Sequence, residues 1–244
     1  MRLFLRSILF YIGILLATLI FAPLGFLLYP LPYPQRYLIM TGWGRFTIWW
    51  LKQTCQLSYQ VQGLENIPKV PAIILSKHQS AWETIVYQQI FPSQVWILKR
   101  ELLWLPLFGW TLASLKPIAI ERKNLRQAMQ QIVEQGKQRL AEGLWLVIFP
   151  EGTRVLPGEK KRYGIGGALL AEKSGSPIVP IAHNSGEFWP AKGFIKRPGT
   201  IQVVIGPVIE PSGKTYQEIN ALAEKWIEET MMTLEGERRV INEK

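Results

Sequence analysis

The sequence predicts an α/β domain with a mixed, largely parallel sheet flanked by helices, preceded by a membrane-associated helical hairpin. Three observations predict it. Residues 7–35 carry no charge and are mostly apolar, six short apolar runs follow between residues 72 and 206, and stretches of helical period lie among those runs. Strands alternating with helices favour a parallel sheet with helices packed on its faces. The division falls at 1–57 for the hairpin and 58–244 for the α/β domain.

The hairpin comes first. SILFYIGILLATLIFAPLGFLLYPLPYPQ lies between Arg6 and Arg36, and about 20 apolar residues suffice to cross a bilayer core. The run is too long for a signal peptide and no small-residue cleavage site follows it. Pro23 and Gly25 set a kinked, re-entrant or shallow helix against a straight span. Residues 37–51 (YLIMTGWGRFTIWWL) form a second apolar segment, whose Trp43, Trp49 and Trp50 beside Arg45 suit the headgroup level. The turn-rich LPYPQ joins the two. A buried hairpin of a soluble protein is the alternative. Positive charge flanks the run on both sides, so charge counting does not orient it.

Six runs then read as buried strands: 72–76 (AIILS), 95–98 (VWIL), 117–120 (PIAI), 144–149 (LWLVIF), 178–182 (IVPIA) and 201–206 (IQVVIG). Leu125, Met129, Ile132, Val133 and Leu140 keep a helical period, with Asn124 placed to cap its start and Gly143 to stop it. Ile219, Leu222, Ala223, Trp226, Ile227, Thr230 and Met231 form a closing amphipathic helix.

Composition narrows the function classes. Of 244 residues, 48% are hydrophobic and 19% charged, which excludes a disordered chain. Cys55 is the sole cysteine and rules out an intrachain disulfide, while two histidines, His78 and His183, speak against a multi-histidine metal site. Lys and Arg number 28 against 18 Asp and Glu, a net charge of +10. Arg2, Arg6, Arg36, Arg45 and Lys52 all precede Glu65, the first acidic residue. A basic chain calls for an anionic partner: nucleic acid, a membrane surface or a phosphorylated substrate.

His78 follows the strand at 72–76, in the strand-to-helix turn where α/β proteins place reactive groups. Glu83 comes five residues later, about 140° away on a regular helix, so the two meet only if His78 lies in the loop and Glu83 in the first helical turn. Ser-Ala-Trp-Glu at 80–83 spells a capping box, which supports that placement and gives Glu83 a competing structural role. An imidazole here can serve as a general base, with the carboxylate fixing its tautomer. No Gly-x-Ser-x-Gly elbow, His-Glu-x-x-His or P-loop occurs. A base without a resident nucleophile points to a substrate hydroxyl as nucleophile. His183 reads as a packing or hydrogen-bonding histidine.

LWLVIFPEGTRV delivers Glu151, Gly152, Thr153 and Arg154 from a strand end into a loop. Gly152 permits close backbone approach, and Thr153 and Arg154 offer a hydroxyl and a bidentate guanidinium to phosphate oxygens. The Lys160, Lys161, Arg162 run reads as a solvated loop. Lys99, Arg100 and Arg122 stand at strand ends, as surface charges or on the same rim as His78 and Arg154.

These residues resemble the glycerolipid acyltransferases, specifically the bacterial type of 1-acyl-glycerol-3-phosphate (lysophosphatidic acid) acyltransferase. KHQSAWE is similar to the first block of that family, carried by His78 and Glu83, with Glu where Asp is commoner. Lys99 through LPLFGW to Ile120-Glu121-Arg122 is similar to the second, with Lys116-Pro117 where a glycine is frequent. FPEGTR at 149–154 matches the third, and Ile178-Val179-Pro180-Ile181 is similar to the fourth. The resemblance covers nearly the whole chain. It implies acyl transfer from acyl-CoA or acyl carrier protein to the 2-hydroxyl of lysophosphatidic acid, giving phosphatidic acid without metal or resident cofactor. It further implies His78 as base oriented by Glu83, phosphate binding by Arg122 and Glu151 to Arg154, and Lys99, Arg100, Val179 and Pro180 on the acyl-donor side or rim. Location at the cytoplasmic face of the bacterial inner membrane, among anionic lipids, follows from the same resemblance.

Three rivals stand beside this reading. One is the same chemistry on glycerol-3-phosphate or another lysophospholipid. Another is a non-catalytic protein that binds anionic lipid; nucleic acid is disfavoured, because no nucleic-acid motif appears. A lipid hydrolase lacks its serine elbow.

Overall fold

The computed structural model describes residues 1–105, 108–121 and 124–242, with the backbone alone for residues 108 and 235–242. A seven-stranded sheet runs in the order β1-β7-β6-β2-β5-β3-β4. Its strands are β1 (Leu57–Gln62), β2 (Ile73–Ser76), β3 (Gln94–Lys99), β4 (Ile118–Ile120), β5 (Trp145–Ile148), β6 (Ile178–His183) and β7 (Gly199–Ile205). From β6 to β4 every neighbour is parallel, and the turn of direction comes at the antiparallel β6–β7 pair. The sheet is mixed and largely parallel, as the sequence predicts.

The strand at β1 is the one the hydrophobic pattern did not flag. LSYQVQ is half-buried and polar at alternate positions, as an edge strand parallel to β7 should be. β2 and β6 lie inside the sheet with every residue buried.

Helices cover both faces. Ile74, Val147 and Val179 point to one face, where they meet Trp82 and Val86 of α4 (Trp82–Ile90) and Leu51 of α3 (Gly42–Cys55). Ile73, Leu75, Leu146 and Ile148 point to the other, against α6 (Leu125–Ala141), α7 (Gly166–Ser174) and α9 (Tyr216–Asn242). This alternation within β2 and β5 is what a twofold strand repeat dictates. Asn124 caps α6, its side chain accepting from the Gln127 N–H at 3.1 Å, and Gly143 follows the helix at φ +81°. In α9 Ile219, Ala223, Ile227 and Met231 are buried at a spacing of four, while Leu222 remains exposed.

The N-terminal region is α1 (Arg2–Leu27), α2 (Tyr33–Met40) and α3. The second apolar segment is thus two helices, divided at Thr41. The connecting turn occupies residues 28–32, and Tyr33 to Gln35 already belong to α2. α1 passes through Pro23 without ending. It has 26 residues, and an 18-residue stretch within it has a mean hydropathy of 2.3 with 17% of that stretch buried, so the helix is long and apolar enough to cross a membrane.

The buried stripe is Ser7, Phe10, Gly13, Ala17 and Gly25. Phe10 is fully buried and meets Trp189 edge-on at 5.2 Å between ring centres. Polar contacts tie α1 to the rest of the chain along its length. Arg6 donates to Gln56 at 2.9 Å, Trp50 to the Leu9 carbonyl at 3.1 Å, Trp43 to the Thr18 hydroxyl at 3.1 Å and Thr111 to the Ala22 carbonyl at 2.8 Å. Its outer face is bare: Leu5, Leu15, Leu16, Leu19 and Ile20 are all more than half exposed.

Candidate active site

Because β2, β5, β3, β4 and β6 all run the same way, their C-terminal ends share one edge of the sheet. Groups gathered at such an edge form the usual site of an open α/β sheet. His78 follows β2, Glu151 follows β5, and Asn184 and Ser185 follow β6.

His78 lies in the loop and Glu83 in the first turn of α4, the placement their spacing requires. Nδ1 of His78 is 2.8 Å from Oε1 of Glu83. The same oxygen accepts the N–H groups of Gln79 and Ser80 at 2.9 and 2.8 Å. Ser80 Oγ accepts from the Trp82 N–H at 3.1 Å and completes the helix start. Oε2 of Glu83 accepts from the Ser185 hydroxyl at 3.0 Å. Burial opposes the charged carboxyl, but the His183 and His78 imidazoles and the Ser80 amide outweigh it, so its pKa lies below the usual value. An ionised Glu83 requires the proton on Nδ1 of His78 and leaves Nε2 as an acceptor. The ring of Phe149 stacks on the imidazole at 3.9 Å between centres.

Residues 151–155 bracket the backbone of His78. Oε2 of Glu151 accepts the His78 N–H at 3.1 Å, and the Val155 N–H donates to the His78 carbonyl at 2.8 Å. Between these two anchors the chain turns through Gly152 at φ +66°, a backbone angle that favours glycine. Gly152, Thr153 and Arg154 are exposed on that turn. Glu151, by contrast, is buried and faces inward. Its Oε1 is 3.2 Å from the ammonium of Lys77, which is 2.8 Å from Glu228 on α9. Tyr163 donates to the same Glu228 oxygen at 2.9 Å. Burial raises the Glu151 pKa to about 7 in spite of Lys77.

The other expected site residues are dispersed. Lys99 is exposed at the end of β3, and Arg100 pairs with Glu121 at 2.9 Å across the ends of β3 and β4. Arg122 lies outside the described residues. Val179 and Pro180 sit within β6, fully enclosed, beside Ile74 and Leu75 of β2. Lys116, where the resembling family favours glycine, adopts φ +55°. His183 is buried, with Nε2 2.9 Å from the Lys77 carbonyl, and burial depresses its pKa.

Ser185 and Lys77 escaped the sequence reading. Ser185 touches Glu83 across 102 positions of sequence, and its sole local signal is the polar His-Asn-Ser that ends β6. Lys77 adjoins the histidine block, but its burial between two carboxylates depends on α9.

Residues 58–184 match the family model described as Acyltransferase. The chain is 46% identical over 231 residues to a 1-acyl-sn-glycerol-3-phosphate acyltransferase of Pseudomonas aeruginosa, covering 93% of this chain and 90% of that protein. It is 30% identical over 179 residues to 1-acyl-sn-glycerol-3-phosphate acyltransferase alpha of Mus musculus, covering 72% and 62% respectively. The crystal structure of the 1-acyl-sn-glycerophosphate (LPA) acyltransferase of Thermotoga maritima has the same fold, with a TM-score of 0.78 at 22% identity over 96% of this chain and 98% of that one.

Proposed function

Because the chain belongs to the acyltransferase family, we propose that it transfers a fatty acyl group from a thioester donor to the 2-hydroxyl of 1-acyl-glycerol-3-phosphate, forming phosphatidic acid. The bracketing of His78 by residues 151–155 carries this reading: it sets a base and an exposed Gly-Thr-Arg turn side by side on one rim. The acceptor needs both, one for its hydroxyl and one for its phosphate. The relative in Pseudomonas aeruginosa bears the name of that activity.

In this mechanism Nε2 of His78 takes the hydroxyl proton as the oxygen attacks the thioester carbonyl. The new C–O bond forms, the C–S bond breaks, and the proton passes from His78 to the departing thiolate. Glu83 holds the ring in the required tautomer and stabilises the imidazolium. Gly152, Thr153 and Arg154 take the phosphate and thereby position the hydroxyl. The Glu151 carboxylate belongs to the support beneath that turn, since a buried anion facing Lys77 offers nothing to a phosphate. Acyl-CoA or acyl carrier protein supplies the thioester.

The contacts of α1 favour a helix that lies in the bilayer surface. One face is bound to protein from Arg6 to Ala22 while the opposite face is bare. A helix so fastened exposes its apolar stripe to one leaflet. α5 (Phe108–Ser114), which leads from the β3 end of the rim to β4, carries the Thr111 that binds α1. On this reading the site opens beside lipid, and a soluble thioester donor reaches it from the cytoplasmic face.

The test is phosphatidic acid formation from lysophosphatidic acid and a long-chain acyl-CoA by detergent-purified protein, wild type beside His78→Ala. Product from the wild type and background levels from the variant is the expected result. Equal product from both removes His78 as the base. If neither forms product, with folding verified and acyl carrier protein tried as donor, the acceptor assignment fails.

A further inference from the structure

Residues 190–198 (PAKGFIKRP) connect α8 (Ser185–Phe188) to β7 and take no part in the chemistry above. A buried lysine organises them. The Lys196 ammonium donates to the carbonyls of Gly193 and Phe194 at 3.0 and 2.9 Å and to the Tyr11 hydroxyl of α1 at 2.8 Å. It also lies over the rings of Tyr11 and Trp189, at 4.8 and 5.0 Å from their centres. Three acceptors satisfy its three protons, the condition under which a buried charge is tolerated. The Lys196 N–H donates to Ser7 of α1 at 2.9 Å, a second tie to the same helix.

The two residues that precede this lysine face outward. Phe194 and Ile195 are 44% and 40% exposed. Phe194 stacks on Tyr11 at 4.9 Å and tilts against Phe4 at 5.3 Å between centres, and Phe4 and Leu5 are themselves at least half exposed. Phe194 thus joins the exposed apolar surface of α1 at Phe4, and Ile195 is exposed beside it in sequence. Lys192 and Arg197, both exposed, flank the pair in sequence. Two large apolar side chains between two cations is the pattern of a lipid interface, where the apolar groups enter the acyl boundary and the cations meet phosphate.

We propose that the 190–198 loop is a second lipid-binding element, in which Phe194 and Ile195 enter an anionic bilayer beside the first turns of α1 while Lys192 and Arg197 engage its headgroups. The inference rests on the reading of α1 as a membrane-surface helix and deepens it. A single helix on a bilayer is free to roll about its axis, whereas a loop fastened beside it by Lys196 fixes the roll and with it the direction in which the site faces.

Ile195→Cys in the full chain, labelled with an environment-sensitive fluorophore, tests this in vesicles of phosphatidylcholine and phosphatidylglycerol with brominated acyl chains. Cys55, the native cysteine, is buried. Leu16→Cys on the bare face of α1 and Leu222→Cys on the outer face of α9 are the references. The expected result is quenching at 195 and 16 to similar extents, a blue shift at both, and neither at 222. Lys192→Glu with Arg197→Glu should weaken binding to anionic vesicles by about tenfold or more and leave binding to neutral vesicles unchanged. Quenching at 16 with a water-like signal at 195 overturns the proposal and leaves the α1 reading intact; no quenching at either overturns both. Shielding at 195 that brominated lipid does not quench assigns the surface to a protein partner and likewise overturns it.

Discussion

Nδ1 of His78 and the amides of Gln79 and Ser80 converge on one oxygen, Oε1 of Glu83, at 2.8 to 2.9 Å. Helix capping and imidazole orientation are therefore one arrangement: the amides that hold the carboxylate in place also fix the oxygen that fixes the ring. Oε2 is held in turn by Ser185, the first residue of α8, just beyond the end of β6.

Glu83→Gln separates the two roles. A glutamine can place its carbonyl oxygen where Oε1 stands and turn its NH2 toward the Ser185 hydroxyl, which then accepts. Every hydrogen bond survives, but the negative charge opposite the imidazolium does not. Turnover should fall by about 10²-fold or more, with little change in acceptor KM and a melting temperature close to wild type. Steady-state kinetics beside calorimetry checks this. Unchanged turnover would leave Glu83 with the capping role alone.

Arg154 is exposed on the turn between the two anchors of His78 and makes no ion pair among the described residues. Removing a charge-assisted bidentate contact to phosphate is worth about 1.5–3 kcal/mol. Arg154→Ala should accordingly raise the acceptor KM by roughly 10- to 100-fold, and Arg154→Lys should recover part of it. Varying acceptor and donor separately decides the matter. An effect confined to the donor KM would move Arg154 to the thioester side of the site.

The sheet was legible because its central strands are buried on both faces and read as unbroken apolar runs, whereas β1, paired on one edge, dilutes its pattern with Ser58, Gln60 and Gln62. His78, Glu83 and the turn at 151–154 were legible because each lies within a few residues of a strand end. Contacts made across the chain were not. Ser185 on Glu83 and Glu228 on Lys77 join positions more than 100 residues apart, which no local spacing encodes. The division of the second apolar segment at Thr41 was hidden for a different reason: hydropathy continues through it, and only backbone hydrogen bonding marks the break.

Glu151 gives the site an unusual acid response. Burial raises its pKa from 4.5 to about 7, so within that window the folded chain holds a proton that the unfolded chain has released. Its contribution to stability is present at low pH and is lost as pH rises toward 7. His183 works in the opposite direction. Burial lowers its pKa from 6.5, so below that value the unfolded chain takes up a proton that the folded chain refuses, and stability falls with pH. Glu83, also depressed, adds a loss at still lower pH, below 4.5. In the wild type Glu151 offsets part of the acid loss. Glu151→Gln removes the offset while its amide oxygen still accepts the His78 N–H, and Lys77 keeps Glu228. The drop in melting temperature between about pH 8 and about pH 5 should be larger in Glu151→Gln than in wild type, with the curves diverging on the acid side. Parallel curves for the two proteins would show that Glu151 titrates at its ordinary value and is not desolvated by the strand end that buries it.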